Sequence, residues 1–364
     1  MDPIAHTLFG ATLAETRLKA LTHLAIPALI LGANAPDIDA ITMLVDRDLS
    51  LGFRRGWTHG VIAMFVLPAV LTVLLLLFDR ISAKVLGQAP RAKPGFLFLL
   101  SFLAVLSHPL LDWLNTYGVR LLMPFDSAWF YGDALFIVDP WVWLLMSATV
   151  VLAHSRSQES IGAWLLLGVV LTVLITSFAG APVGTRLLWC VGVAVISWFR
   201  WKWYRTKKLD NLARACLGIF AVYIIAMVGL SYLAEKQVVE WMLRRDDSPV
   251  TIMASPTPGN PFRRDIVVSD RDHYHFLVVD WLAGQTIRIS RESIERGPTG
   301  PVVQAALTAP EVQGMATWMR FPIFAVKQTV FGYRVSIRDA RYASREGAAL
   351  GSSVVELDHH LRVR

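Results

Sequence analysis

Charge is what this chain has least of. Only 17% of its 364 residues are charged, where a soluble domain averages roughly 25%, so it lacks the water-facing surface of a wholly soluble fold. Cysteine is scarcer still. The two present, Cys190 and Cys216, both fall inside hydrophobic runs, which excludes a disulfide framework and a thiolate metal site. No basic stretch follows Met1-Asp2-Pro3, so no cleavable signal peptide is expected and targeting falls to the hydrophobic spans. No internal repeat or low-complexity segment is present.

What the chain does have is apolar sequence, 54% of the total. Crossing about 30 Å of hydrocarbon takes roughly 20 apolar residues as a helix. The clearest runs are 60–78, 95–114, 141–153, 161–178, 185–199 and 213–234. A further span is expected over 19–33, while 3–14 is too short to cross and reads as a re-entrant or interfacial helix. The net charge of +7 does not point to nucleic acid. Arg200, Lys202, Arg205, Lys207 and Lys208 are bracketed by two hydrophobic runs, the pattern of a cytoplasmic loop.

Composition changes near residue 236. Charges, prolines and glycines return, and the stretches 265–269, 275–280, 286–290 and 332–338 are β-branched or aromatic and bounded by turn formers. The expected fold is a polytopic α-helical membrane domain over 1–235, with about six or seven spans. A small, mainly β extramembrane domain follows over 236–364. The loop 79–94, with Arg80, Lys84, Arg91 and Lys93 against Asp79, and the loop 200–208 both belong on the cytoplasmic side. Threading the spans between them puts 34–59, 115–139, 179–184 and the C-terminal domain outside, and 156–160 inside.

Ionisable groups at the ends of apolar spans are costly unless paired, solvated or bound to an ion. Four polar stretches occupy such places: Asp2-Pro3-Ile4-Ala5-His6-Thr7, Asn34-Ala35-Pro36-Asp37-Ile38-Asp39, Arg54-Arg55-Gly56-Trp57-Thr58-His59, and Ser107-His108-Pro109-Leu110-Leu111-Asp112. His108 and Asp112 are four apart and share a helix face, where they can form a buried hydrogen bond or share a divalent cation. Pro109 either starts a helix at His108 or kinks one that runs through. The two carboxylates of Asp37 and Asp39 converge on an extended backbone and otherwise diverge; Asp39 is then a partner that orients a ligand, or a general base. His59 stands at the mouth of a span. Asp37, Asp39, His59, His108 and Asp112 all map to the outer face, and His6 joins them if the N-terminal helix re-enters far enough. Nitrogen and oxygen donors without sulfur favour zinc or manganese. Arg54 and Arg55 can hold a phosphate through paired hydrogen bonds or anchor to lipid headgroups. Trp141, Trp143 and Trp164 read as interface anchors. His23 and His154 read as boundary residues, His273 and His275 as solvent-exposed, and Asp358-His359-His360 as a frayed terminus.

Together these motifs resemble the YdjM-like family of inner-membrane proteins. The carriers are Asp2-Pro3-x-x-His6-x-x-x-Gly10, Asn34-x-Pro36-Asp37-x-Asp39, Arg55-Gly56-x-Thr58-His59 and Ser107-His108-x-x-x-Asp112, and the likeness covers roughly 1–180. The resemblance implies a multi-pass, metal-dependent hydrolase of the bacterial inner membrane. More remotely, the order Asp, His, His-x-x-x-Asp is similar to the zinc-dependent phospholipase C and P1 nuclease group. That likeness implies a metal site of Asp37, His59, His108 and Asp112, with His6 available to a neighbouring ion. A second His-x-x-x-Glu motif and a terminal Trp are both missing, so one or two ions are expected rather than three.

The expected function is a membrane-bound, metal-dependent hydrolase acting on a phosphoester of a lipid or lipid-linked substrate at the outer face. Asp39, Arg54 and Arg55 are its candidate catalytic residues, and membrane lipids are its surroundings. The alternative is a non-catalytic scaffold whose β domain recruits an envelope partner. A transporter is disfavoured, because charges within the spans are sparse.

Overall fold

The computed structural model describes residues 1–203, 209–245, 247–342 and 351–364. Arg205, Lys207 and Lys208 of the basic loop lie outside the described residues. The chain divides into two compact units, one of residues 1–38, 55–231 and 255–261, the other of 39–54, 232–254 and 262–364.

The helices in chain order are α1 (Pro3–Ala14), α2 (Ala25–Gly32), α3 (Arg47–Phe53), α4 (Ala63–Val85), α5 (Pro94–Trp113), α6 (Pro140–His154), α7 (Gln158–Ser177), α8 (Val183–Trp203) and α9 (Leu209–Leu243). Two 3₁₀ segments intervene, at Arg17–Ala20 and Ala35–Leu44. Among the described residues, α4, α5, α7, α8 and α9 are long and apolar enough to cross a membrane. Only 11% of the apolar stretch of α7, and of α8, is buried against protein. Apolar surface on that scale needs lipid as its solvent.

α1 forms over the residues expected. Asp2 caps it, Oδ1 accepting from Ile4 N and Ala5 N at 3.0 Å, and Pro3 supplies the first-turn residue that needs no N–H partner. The expected span over 19–33 does not form. Leu24 adopts φ +63°, a left-handed conformation that interrupts a right-handed helix, and α2 is left with 8 residues, about 12 Å of rise. Packing replaces length. A Cβ on Gly10 would lie 2.5 Å from the Leu29 carbonyl, and one on Gly32 would lie 2.7 Å from the Ala104 Cβ, so α1 and α5 close tightly on α2 through small residues.

His23 and His154 are boundary residues with partners. His23 Nδ1 lies 2.5 Å from Asp79, whose other oxygen accepts from Arg91 N and Ala92 N at 2.8 Å. His154 Nε2 lies 2.8 Å from Glu15. Trp143 departs from the anchoring expected of it: it is buried, and its Nε1 donates to both Asp2 oxygens at 3.1 Å. Trp141 donates to the carbonyl of Gly259.

The second unit is built on two antiparallel sheets, β1-β2-β3-β4 (Thr251–Thr257, Asn260–Ser269, His273–Asp280, Ile287–Glu295) and β5-β6-β7 (Pro322–Thr329, Gly332–Asp339, Ser352–Leu357). Period-two alternation sorts the faces of the first sheet. Ile266, Val268, Leu277 and Val279 pack with Ala234, Val238 and Met242 from the end of α9. Val267, Tyr274 and Phe276 pack with Phe321 and Ile323. Two further helices, α10 (Pro301–Leu307) and α11 (Gln313–Trp318), follow β4. α3 packs on α11, where Asp48 accepts from Gly314 N at 2.6 Å and Met315 N at 2.8 Å. Of the tail histidines, His275 is part-buried and 2.6 Å from Asp270.

Asp339 is fully buried and receives Arg341 Nη2, Arg341 N and Arg320 N at 2.8–2.9 Å. Burial pushes its carboxyl up, but the Arg341 guanidinium and the two backbone N–H groups outweigh it and hold Asp339 below the usual carboxylate range. A depressed folded-state pKa gives stability that is present above the unfolded value, about 3.9. That stability is lost as pH falls through the folded value. Protection of the β5–β6 amides against hydrogen exchange, relative to the intrinsic rate, should therefore fall below about pH 4. Asp339→Asn should flatten this acid dependence and cost roughly 3–5 kcal/mol at neutral pH, by leaving Arg341 buried without its charge partner. Equal protection in the two proteins across the pH range would contradict the assignment.

Candidate metal centre

Four short stretches of the first unit meet around Asp112. α5 runs through Pro109 and puts His108 and Asp112 on one face, both with no solvent exposure. His108 Nδ1 lies 2.7 Å from the carbonyl of Ala33. A carbonyl only accepts, so Nδ1 carries the proton, and in the neutral ring Nε2 keeps a lone pair. That nitrogen faces Asp112 Oδ2 at 3.5 Å and Asp37 Oδ1 at 3.7 Å. Three acceptors turned toward one another are mutually repulsive unless a cation stands among them.

His59 completes the set, with Nε2 3.3 Å from Asp112 Oδ2 and Nδ1 2.9 Å from Thr58 Oγ1. Each of Asp37, His59, His108 and Asp112 offers one ligand atom, and these four atoms lie within 4.8 Å of one another. Tetrahedral zinc with bonds of about 2.0–2.2 Å separates its ligands by roughly 3.3–3.6 Å. The three separations of 3.3, 3.5 and 3.7 Å match that scale, so the residues fit a divalent cation. Asp37, with its side chain 15% exposed, is the member of the four that reaches solvent.

The other candidates fall around this group. His6 is brought in by α1, stacks on His108 with ring centroids 3.7 Å apart, and lies 3.3 Å from Asp112 Oδ1. It stands beside the four donors, against the other oxygen of Asp112. Arg55 is buried and grips Asp112 with two donors, Nε to Oδ2 at 2.9 Å and Nη2 to Oδ1 at 3.0 Å, while Nη1 donates to Asn115 Oδ1 at 2.8 Å. The Met1 amino group also contacts Oδ1. The backbone through Asp37 and Asp39 is 3₁₀ rather than extended. Asp39 pairs instead with Arg54, its neighbour within the second unit, at 3.6 Å.

Two features escaped the sequence reading. Asn115 anchors Arg55 and accepts from Tyr117 N; its position three residues after Asp112 was the available signal. Arg120 donates its N–H to the Arg55 carbonyl at 2.8 Å and lays its guanidinium where a Cβ on Gly56 would stand. Nothing local in 116–139 announces that contact. Arg55 itself holds φ +54°, uncommon for a residue other than glycine.

The model of the YdjM inner membrane protein family matches residues 1–183, half of the 364. The chain belongs to this family. All four donors, with His6 and Arg55, lie inside the matched part, and the β-sheets lie outside it. A relative is the uncharacterized protein YfhP of Bacillus subtilis (strain 168), 26% identical over 169 residues, which are 44% of this chain and 49% of that one. The chain thus spans about half the length of that relative. No solved structure matches at a significant level.

His108→Ala and Asp112→Ala should each strip bound metal from the purified protein while leaving membrane insertion intact. Arg55→Ala, which frees Asp112 without removing a donor, should weaken metal binding by roughly 10–100-fold. Elemental analysis and competition with a chelator measure both effects. Unchanged metal content in the first two variants would remove the site.

Proposed function

We propose that the chain is a membrane-bound, metal-dependent hydrolase acting on a phosphoester of a lipid or lipid-linked substrate. The carrying observation is the group of buried His59, His108 and Asp112 with part-exposed Asp37, with His108 Nδ1 engaged by a carbonyl and its Nε2 turned to two carboxylates. His59, His108, Asp112 and Asp37 hold the cation, zinc or manganese by donor type. When bound, a divalent ion there polarises a phosphoryl oxygen and makes water acidic enough to ionise near neutrality.

The remaining roles belong to this chain's own residues. Arg55 and His6 fix the orientation of Asp112, a positioning role for Arg55 in place of phosphate contact. Asp39 follows Asp37 by two residues and Arg54 directly precedes Arg55 in the sequence motifs, and that adjacency in sequence is what supports giving them roles. Asp39 is assigned proton abstraction from water and Arg54 the phosphate. Solvent exposure of Asp37 makes its side of the centre the entry for water and substrate.

A second reading has one observation in its favour: four protein donors can close a tetrahedral site, as structural zinc sites do. The protein is then a membrane scaffold. Solvent-proton relaxation of the manganese-loaded protein separates the two, because only a centre open to water relaxes bulk solvent strongly.

The basic loops support an orientation with the C-terminal domain outside. A reporter that fluoresces only in the cytoplasm, fused after Arg364, should stay dark. A bright fusion would invert the topology and move the proposed chemistry to the inner leaflet.

For the chemistry, Asp39→Asn keeps side-chain size and leaves all four donors in place. It should retain metal yet lower release of phosphorylated headgroups from labelled membranes by roughly 10²–10⁴-fold, the usual worth of a general base. Arg54→Ala should raise the substrate concentration needed for half-maximal release. Absence of any metal-dependent release by the unaltered protein, with full complementation of a null strain by Asp39→Asn, would leave the scaffold.

A further inference from the structure

α1 carries His6 at the candidate metal centre, and its C-cap residue Glu15 follows nine residues later, about 13 Å further along the axis. α6 runs beside it in the same direction. Trp143 near its start donates to Asp2, Thr12 Oγ1 donates to the Met146 carbonyl at 2.9 Å, and His154 at its end meets Glu15. The far end of this helix pair opens on a cavity of about 360 Å³.

Basic and hydroxyl groups line it: Lys19, His154, Arg156, Ser157 and Ser160. Glu15, 2% exposed, is the acid in the wall, and it is matched from within by Lys19 Nζ at 2.6 Å and His154 Nε2 at 2.8 Å. Two cations, Lys19 and Arg156, thus line the cavity with one anion, Glu15. Arg156 Nε donates to the Ala153 carbonyl at 3.0 Å, which braces the guanidinium at the cavity wall. Ser157 caps the 20-residue helix α7 and exchanges hydrogen bonds with Ser160. The positive end of that helix dipole adds to the side-chain charge, with Glu159 of the same first turn as the opposing acid outside the cavity lining.

Beyond the cavity, α7 continues with Leu165, Leu166, Val169 and Val170 exposed on a helix of membrane length. Ile26 gives the cavity an apolar wall. The combination calls for a ligand with an anionic head and apolar chains. We propose that this cavity binds the phosphate of an anionic phospholipid, whose chains lie along the exposed face of α7. Basic pockets at the ends of membrane helices recognise phosphate headgroups by this chemistry, and a guanidinium suits phosphate oxygens in geometry as well as charge. The site is independent of the metal centre and of the reaction proposed there.

The test uses the full chain, purified in a zwitterionic detergent and delipidated, with bound lipid counted by native mass spectrometry. Phosphatidylglycerol should be retained about tenfold better than phosphatidylcholine. Arg156→Glu should lower phosphatidylglycerol retention at least fivefold, and Lys19→Gln about fivefold, the usual worth of one basic residue at an anionic surface, with phosphatidylcholine unaffected. Lys19→Gln removes a partner of Glu15, so a thermal melt accompanies it; Arg156→Glu, at an exposed residue with no contact to Glu15, carries the test if Lys19→Gln melts early. A third arm adds inorganic phosphate. Displacement of phosphatidylglycerol by phosphate only at large excess supports the lipid. Stoichiometric binding of phosphate with no preference between lipids would assign the cavity to a soluble anion and overturn the proposal. Equal retention of the two lipids, or phosphatidylglycerol unaffected by Arg156→Glu, would do the same.

Discussion

A carboxylate with no solvent exposure, at the end of an apolar helix, is the constraint around which the first unit is arranged. Removing such a group from water costs several kcal/mol unless partners replace the lost hydration. Asp112 has such partners in Arg55, which reaches both oxygens, and in His6 at Oδ1, while the His59 and His108 nitrogens facing Oδ2 can only share a cation with it. Each partner arrives on a different stretch of chain. Satisfying one carboxylate therefore fixes α1, the approach to α4 and α5 together. Arg55 is held in turn by Asn115 and by the backbone of Arg120, which recruits the segment after α5 into the same arrangement.

Length is sacrificed to this convergence. α1 and α2 have 12 and 8 residues, too few to cross a bilayer, yet they are among the most buried helices of the unit. Gly10 and Gly32 remove the side chains that would hold α1, α2 and α5 apart, so close van der Waals contact takes the place of hydrophobic driving force. The glycine four residues after His6 is thus part of how the histidine reaches Asp112. The membrane-length helices show the opposite economy, with α7 and α8 burying little and leaving their surfaces to lipid.

Much of this was legible in the residues. Charge scarcity and run length found the long helices; Asp2-Pro3 marked the start of α1 as cap and first-turn residue. The i, i+4 spacing of His108 and Asp112 put two donors on one face. Strands β2, β3, β4 and β6 were visible, and three of them are interior strands whose apolar residues are paired on both edges. The edge strands β1, β5 and β7 were not, since one-sided pairing leaves weaker patterning. The run 19–33 misled because hydropathy is blind to a left-handed residue at Leu24. Arg55 misled because an arginine beside candidate ligands looks the same in sequence whether it faces a substrate or grips a ligand; only the distances to Asp112 decide. Asp39 and Arg54 could not be paired by pattern, since they stand fifteen positions apart.

Residues 39–54 lie in sequence between the candidate ligand Asp37 and Arg55. They nevertheless pack with the second unit, where Asp48 accepts from the backbone of Gly314 and Met315 and α3 lies on α11. The fit there is close, because a Cβ on Gly314 would lie 1.7 Å from the Asp48 carbonyl. Deleting residues 236–364 therefore does more than remove a β domain. It takes away the partner of α3 and frees a segment that carries Asp39 and Arg54 and is tethered at both ends to metal-site residues. A truncated protein that loses activity is compatible with a hydrolase whose loop has been released as much as with a scaffold that has lost its recruiting domain. Point changes that leave α3 and α11 packed, such as Asp39→Asn, are the ones that bear on chemistry.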